Sequence, residues 1–241
     1  MKQSKNFIGL IILSVGLVTS CDHDTIRASG EVTSLNYSIP DYSELEISNA
    51  FNAYVTFSDT EESIRIEAND NLHDKIIVKR EGNALVIRLK NFTSVRGNAT
   101  MNAYIVTKDI STFDISGASR LTLENEWVES DARIDLSGAS DFTGEVAAER
   151  LYLDMAGASS LDLFGNTAFL NAKLSGSSVV RDYDLAVENL KIELSGASEA
   201  FLSVNETIDV NASGASVLNY KGNATINNKK LSGSSEIKNQ N

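Results

Sequence analysis

Between residues 113 and 237, apolar side chains recur at fixed offsets from a set of glycines. Ile115, Leu136, Met155, Leu174, Leu194, Ala212 and Leu231 stand two residues before one. Phe113, Ile134, Leu153, Ala172, Ile192, Val210 and Lys229 stand four before, and Leu121, Phe142, Leu161, Val180, Ala200, Leu218 and Ile237 four after. Mostly polar residues lie between them. A period of two is that of a strand with one buried face, so each glycine marks a corner between two short strands.

The corners are nearly the same tetrad each time. Ser116-Gly117-Ala118-Ser119 returns as Ser137-Gly138-Ala139-Ser140, Ala156-Gly157-Ala158-Ser159, Ser175-Gly176-Ser177-Ser178, Ser195-Gly196-Ala197-Ser198, Ser213-Gly214-Ala215-Ser216 and Ser232-Gly233-Ser234-Ser235. The glycines are 21, 19, 19, 20, 18 and 19 residues apart. A fixed period near twenty marks a repeat in which each unit buries its apolar face only against its neighbours. Leucine-rich repeats need an L-x-x-L-x-L-x-x-N pattern that is absent, and propeller blades need about 40 residues. The pattern predicts an all-β chain: a parallel β-helix, or solenoid, with about 20 residues per coil. At ~4.8 Å per strand, seven coils form a rod roughly 30 Å long. Lys229 breaks the apolar column in the last copy, which reads as a terminal coil closing an open end.

Residues 31–110 are also strand-like, with less regular turns. Leu45-Glu46-Ile47-Ser48, Tyr54-Val55-Thr56-Phe57, Ile64-Arg65-Ile66-Glu67, Ile76-Ile77-Val78-Lys79 and Leu85-Val86-Ile87-Arg88-Leu89 are separated by turn residues such as Asn69-Asp70-Asn71 and Glu81-Gly82-Asn83. Asn52-Ala53-Tyr54-Val55 is echoed by Asn102-Ala103-Tyr104-Ile105. No linker breaks the chain near residue 110. One continuous solenoid, irregular over 43–110 and regular over 111–241, is the preferred reading; a small β-sandwich joined to a β-helix is the alternative.

The start of the chain is of another kind. Lys2 and Lys5 precede a 12-residue apolar run, Phe7 to Val18, too short to span a bilayer comfortably. The run ends in Val18-Thr19-Ser20-Cys21, and Cys21 is the only cysteine. This resembles the lipobox of bacterial lipoproteins, which implies cleavage before Cys21 and lipidation of its thiol. Residues 1–20 are then a signal segment, and 21–42 carry the lipidated Cys21, a short polar tether over 22–30 and a first strand. The formal net charge of −12 argues against nucleic acid and against attraction to anionic lipid. The acyl chains would therefore do the anchoring.

The lipobox, Leu45–Thr56, the Asn69-Asp70-Asn71-Leu72 turn, the Gly82–Ile87 strand and the run of corners together resemble the bacterial family called putative auto-transporter adhesin, head GIN domain. The resemblance covers roughly residues 30 to 220. It implies a right-handed β-helix on an exported protein with a role in adhesion. The chain shows no translocator barrel, so the auto-transporter part of the name is not expected to carry over.

Little in the chain points to catalysis. His23 and His73 are the only histidines, and a nucleophilic serine needs a base and an orienting partner. The repeated corner serines are expected to bond locally to backbone, and His73 is expected to be exposed in a polar turn. One outward row stands apart: Asp114, Asp135 and Asp154, each three residues before a glycine, followed by Lys173, Glu193, Asn211 and Lys230. In a stack these lie one above another, and three successive carboxylates form a ladder with the chemistry for weak Ca²⁺ binding. A solvated charged face is the competing account.

The expectation is thus a non-enzymatic module, lipid-anchored at the outer membrane through Cys21 and facing either outward or the periplasm. It would bind a surface glycan or protein and need no cofactor beyond a weakly held Ca²⁺. A carbohydrate-active enzyme on the same scaffold is a second reading, since paired carboxylates cleave glycosides. A structural envelope protein that forms homo-oligomers through its coil ends is a third.

Overall fold

The structure is a computed structural model that describes residues 24–241. The signal segment 1–20 and the lipidation residue Cys21 lie outside the described residues. The chain is all-β, a solenoid of about seven turns with ~19 residues per turn. Its one helical segment among the described residues is the 3-10 turn Asp70–Lys75.

Two columns of parallel strands meet at the glycine corners. The pre-corner sheet stacks Ala84–Leu89, Glu44–Ile47, Thr112–Ile115, the second halves of Trp127–Leu136, Asp141–Met155, Ser160–Leu174, Leu185–Leu194 and Glu199–Ala212, and finally Thr225–Leu231. The post-corner sheet stacks Met101–Thr107, Asn52–Phe57, Arg120–Leu123, the first parts of Asp141–Met155 and Ser160–Leu174, then Val179–Arg181, Glu199–Ala212, Val217–Lys221 and Glu236–Asn239. A narrow third side, exemplified by Val146–Ala148 on Gly165–Thr167, joins the two sheets. The inward rows are those the apolar period predicts. Ile47, Ile115, Leu136, Met155, Leu174, Leu194 and Ala212 sit in register and are buried. Each large aliphatic is worth roughly 1.5–3 kcal/mol when withdrawn from water. Trp127 is also core: it donates its Nε1–H to the Ile110 carbonyl at 2.7 Å and meets Phe113 edge-on at 4.9 Å.

The corner sets how closely coils approach. Gly176 has φ +73, and a Cβ there would lie 2.4 Å from the Gly157 carbonyl oxygen. That oxygen accepts a 2.7 Å hydrogen bond from the Ser177 amide. The same bond recurs from Ala158 to Gly138, Ala197 to Gly176, Ala215 to Gly196 and Ser234 to Gly214. Glycine is required here for backbone approach as well as for dihedral freedom.

Residues 43–110 do not wind in sequence order. Glu44–Ile47 lies between Ala84–Leu89 on one side and Thr112–Ile115 on the other. Asn52–Phe57 likewise lies between Met101–Thr107 and Arg120–Leu123. The chain lays one coil, turns back to build the end of the stack beneath it, then returns at residue 112 to wind the other way. This refines the reading of one continuous solenoid, irregular over 43–110, which left the order of winding open. The segments that build this end include antiparallel strands: Ser63–Asn69 pairs with Met101–Thr107, Ile76–Glu81 with Ala84–Leu89, and Val32–Tyr37 with Ser63–Asn69. Leu72 of the 3-10 turn is fully buried against this end of the core.

The polar tether is corrected in part. Asp24–Arg27 is a strand paired in parallel with Thr93–Arg96, and Lys75 Nζ reaches Asp24 at 2.6 Å. The opposite end is closed differently. The register slips between Ile208 and Asp209, so that Asn227 bulges from the strand Thr225–Leu231, and Lys229 stands exposed at its core position. A bulge and an inward lysine both oppose further strand pairing.

Replacing Gly176 by Ala is expected to cost about 3 kcal/mol or more, because the backbone above or below must move. Gly82→Ala, with nothing within 4 Å of the new Cβ, should cost only ~1 kcal/mol for its positive φ. Urea denaturation of the two variants measures the difference; equal losses would show that coil contact at the corner is not limiting.

Candidate outer-face binding site

Parallel register turns single side chains into rows. On the outside of the pre-corner sheet, Glu46, Asp114, Asp135, Asp154, Lys173, Glu193, Asn211 and Lys230 follow one another coil by coil. The predicted aspartates Asp114, Asp135 and Asp154 are therefore direct neighbours. Glu46, which the period alone did not connect to them, extends the row by one acid. The neighbouring outward row runs Glu44, Thr112, Arg133, Tyr152, Asn171, Lys191, Asp209 and Asn228.

The acidic stretch carries its own cation. Arg133 donates from Nε and Nη2 to the two carboxylate oxygens of Asp135, both at 2.7 Å. Partial desolvation, followed by the charges of Glu46 and Asp135, raises the Asp114 carboxyl above its ordinary range, and Arg133 offsets part of this. Among the described residues, no three carboxylate, imidazole or thiol groups come together in a way that could hold a metal ion.

Clefts run between the rows. One of about 350 Å³ is lined by Asp154, Lys173, Glu193 and Asn211 on one wall and Ser175, Ser195 and Ser213 on the other. A second, of about 380 Å³, crosses four coils. Arg150, Phe169, Asn189 and Thr207 form one wall, and Tyr152, Asn171, Lys191 and Asp209 the other. The floor is the backbone of Leu151, Leu170 and Leu190, whose side chains point into the core. Phe169 is 51% exposed, on a scaffold whose large apolar groups are mostly inside. Several wall residues are fixed. Arg150 forks onto Asp131, and the Thr207 hydroxyl donates to Asn189 Oδ1 at 2.6 Å. Asn171 and Lys191 make no side-chain hydrogen bond or ion pair among the described residues, so their donors face solvent.

The corner serines are bound to backbone. Ser140, Ser159, Ser198, Ser216 and Ser235 donate to the carbonyl three residues earlier at 2.7–3.0 Å. Ser119 is the exception: its hydroxyl is buried without a hydrogen-bond partner. His73 is half-buried, which corrects the expectation of an exposed turn. Its Nε2 lies 3.0 Å from Thr33 Oγ1, far from the corners in sequence, and its Nδ1 is buried without a partner.

Two further features were only partly visible in the sequence. Asn49, with φ +66, occupies the corner position beneath Gly117, making Ser48-Asn49-Ala50 an eighth corner. Asparagine tolerates this conformation, and its Oδ1 accepts from the Leu89 amide at 3.2 Å. The echo of Asn52–Val55 in Asn102–Ile105 is a direct strand pair. Tyr54 stacks on Tyr104 at 5.2 Å, and Arg65 covers the other face of Tyr104 at 3.9 Å. With its faces occupied, Tyr104 offers no open platform to a ligand.

The family model described as putative auto-transporter adhesin, head GIN domain, matches residues 41–224. A putative adhesin from Bacteroides fragilis superposes with a TM-score of 0.79 at 21% identity, over 89% of this chain and 99% of that one. A putative lipid binding protein from Parabacteroides distasonis gives 0.74 at 18% identity, over 90% of this chain and 100% of that one. A putative adhesin from Parabacteroides merdae gives 0.70 at 14%, over 90% and 100%. At these identities the likeness is one of fold. A comparison with curated proteins finds no match.

Asp114 binds its proton more tightly folded than unfolded, so folding stability falls as pH rises from the ordinary carboxylate value of 3.8. Asp114→Asn should raise Tm at pH 7 by about 2 °C, with the gain disappearing below pH ~4 and shrinking in high salt. Thermal melts across pH test this; a lower Tm at pH 7 would mean that the carboxylate is stabilised by something other than its neighbours.

Proposed function

This chain belongs to the family described as putative auto-transporter adhesin, head GIN domain, and on that premise we propose that it is a non-catalytic binding module of the bacterial envelope. The family description suits an extracellular or envelope-associated protein. Among the described residues no helix is long and apolar enough to cross a membrane, and the lipid on Cys21 is the proposed anchor. The ordered strand begins at Asp24, only a few residues from that anchor, which would hold the module close to the bilayer.

The observation that carries the reading is the outer face of the pre-corner sheet. It is rigid because its backbone groups are engaged coil to coil. It presents aligned charged, amide and aromatic side chains across several coils. Rigid elements that hold side chains in fixed positions reduce the ordering cost of binding. The hydroxyls that could have served as nucleophiles mostly donate to nearby backbone carbonyls instead. The chemistry on display favours recognition over bond cleavage.

Two measurements test this function. Cys21→Ala should move the protein from the membrane to the soluble fraction and abolish labelling by a fatty-acid analogue; an unchanged distribution would rule out the lipid anchor. Of glycan and extracellular-protein arrays probed with the lipid-free chain, at least one should give signals that weaken when the outer face is blocked, as by Asn171→Arg. Silence on both arrays, or signals indifferent to that substitution, would remove the binding role.

A further inference from the structure

The four-coil cleft beside Phe169 has a chemistry that narrows the choice of ligand. We infer that it binds a linear, uncharged glycan whose chain runs along the solenoid axis, across the strands. The inference rests on the binding-module reading and names the ligand class of the same face.

The argument starts from the shape. The walls repeat with every coil: Arg150, Phe169, Asn189 and Thr207 on one side, Tyr152, Asn171, Lys191 and Asp209 on the other. A site whose contacts recur every ~4.8 Å suits a ligand that is itself periodic and extended. Its floor is paired backbone, with Leu170 bonded in register to Leu151 below and Leu190 above. No free strand edge is offered there, so an extended peptide cannot add as another strand.

Charge decides next. Arg150 is paired with both Asp131 and Glu149. Lys191 and Asp209 are register neighbours of opposite sign. The cleft is therefore close to neutral in a chain of net charge −12, and a polyanion gains nothing from it. It is also open and shallow, unlike the enclosed apolar cavity that an acyl chain needs.

What remains is a ligand with apolar ring faces and many hydroxyls. Phe169, half in solvent, offers an aromatic surface to the C–H face of a sugar ring. The Asn171 amide and Lys191 ammonium supply donors, and the Asp209 carboxylate, held by Asn228 at 2.8 Å, supplies acceptors. This combination of aromatic surface and several hydrogen-bonding groups in a row matches a neutral polysaccharide better than a protein surface.

The test titrates the lipid-free chain from residue 22 onward, which contains every described residue, with neutral hexaoses and polygalacturonate. The hexaoses are β-1,4-linked chains of glucose, xylose, mannose or N-acetylglucosamine. At least one neutral series should bind, with affinity rising from disaccharide to hexaose. Phe169→Ala and Asn171→Ala should each weaken it by about tenfold. Thr122→Ala, on the post-corner sheet, should leave it unchanged. The melting temperature of Phe169→Ala should stay within a few degrees of the parent's, because half of the ring already lies in solvent. Failure of every neutral hexaose, or binding indifferent to both cleft variants, overturns the glycan assignment. If polygalacturonate or an arrayed protein binds while the neutral chains do not, the glycan assignment falls and the binding-module reading stands.

Discussion

A hydrogen bond between neighbouring corners governs this molecule. The carbonyl of one corner glycine accepts from the amide just after the next, at 2.7 Å, in five successive corners from Gly138 to Ser234. At that distance the upper glycine's Cα lies almost on the carbonyl below, with no space for a side chain. The contact aligns the two strands leaving each of these corners and keeps these coils in phase with their neighbours. A one-residue slip would turn each inward leucine or isoleucine to solvent, so backbone and core enforce the same register.

That register gives the surface its character. Once coils are in phase, a residue type repeated at one offset becomes a continuous row. The same geometry places Glu46, Asp114, Asp135 and Asp154 side by side, with Arg133 folded onto Asp135 to relieve them. It also opens straight clefts between rows. A repeat that is monotonous in its interior can thus vary freely outside, and the change from an unbroken run of acids at one end to mixed lysine, glutamate and asparagine at the other occurs along a single row. Binding specificity in such a scaffold is written across the strands, not along them.

The two ends are handled by different means. At the N-terminal end the chain reverses, adds antiparallel strands and inserts Leu72 beneath the core. At the C-terminal end Lys229 replaces one inward aliphatic of the last coil, and the strand bulges at Asn227. The first device covers apolar surface, and the second makes the exposed edge a poor template for another strand.

The primary sequence determined the stack, its period and its buried rows, because strand alternation and glycine placement are local and repeat many times over. The aspartate row was legible for the same reason: equal offsets from equal corners must align. What it could not determine was the order of winding over 43–110. Whether Glu44–Ile47 joins the strand before or after it depends on competing long-range pairings, and only the folded chain decides among them. The Asn49 corner was hidden because asparagine stood in for glycine, and Arg133 because its role depends on how far a side chain reaches. The cleft beside Phe169 was hidden too. An exposed phenylalanine and an unpaired Asn171 acquire meaning only when strands from four coils bring their neighbours alongside them.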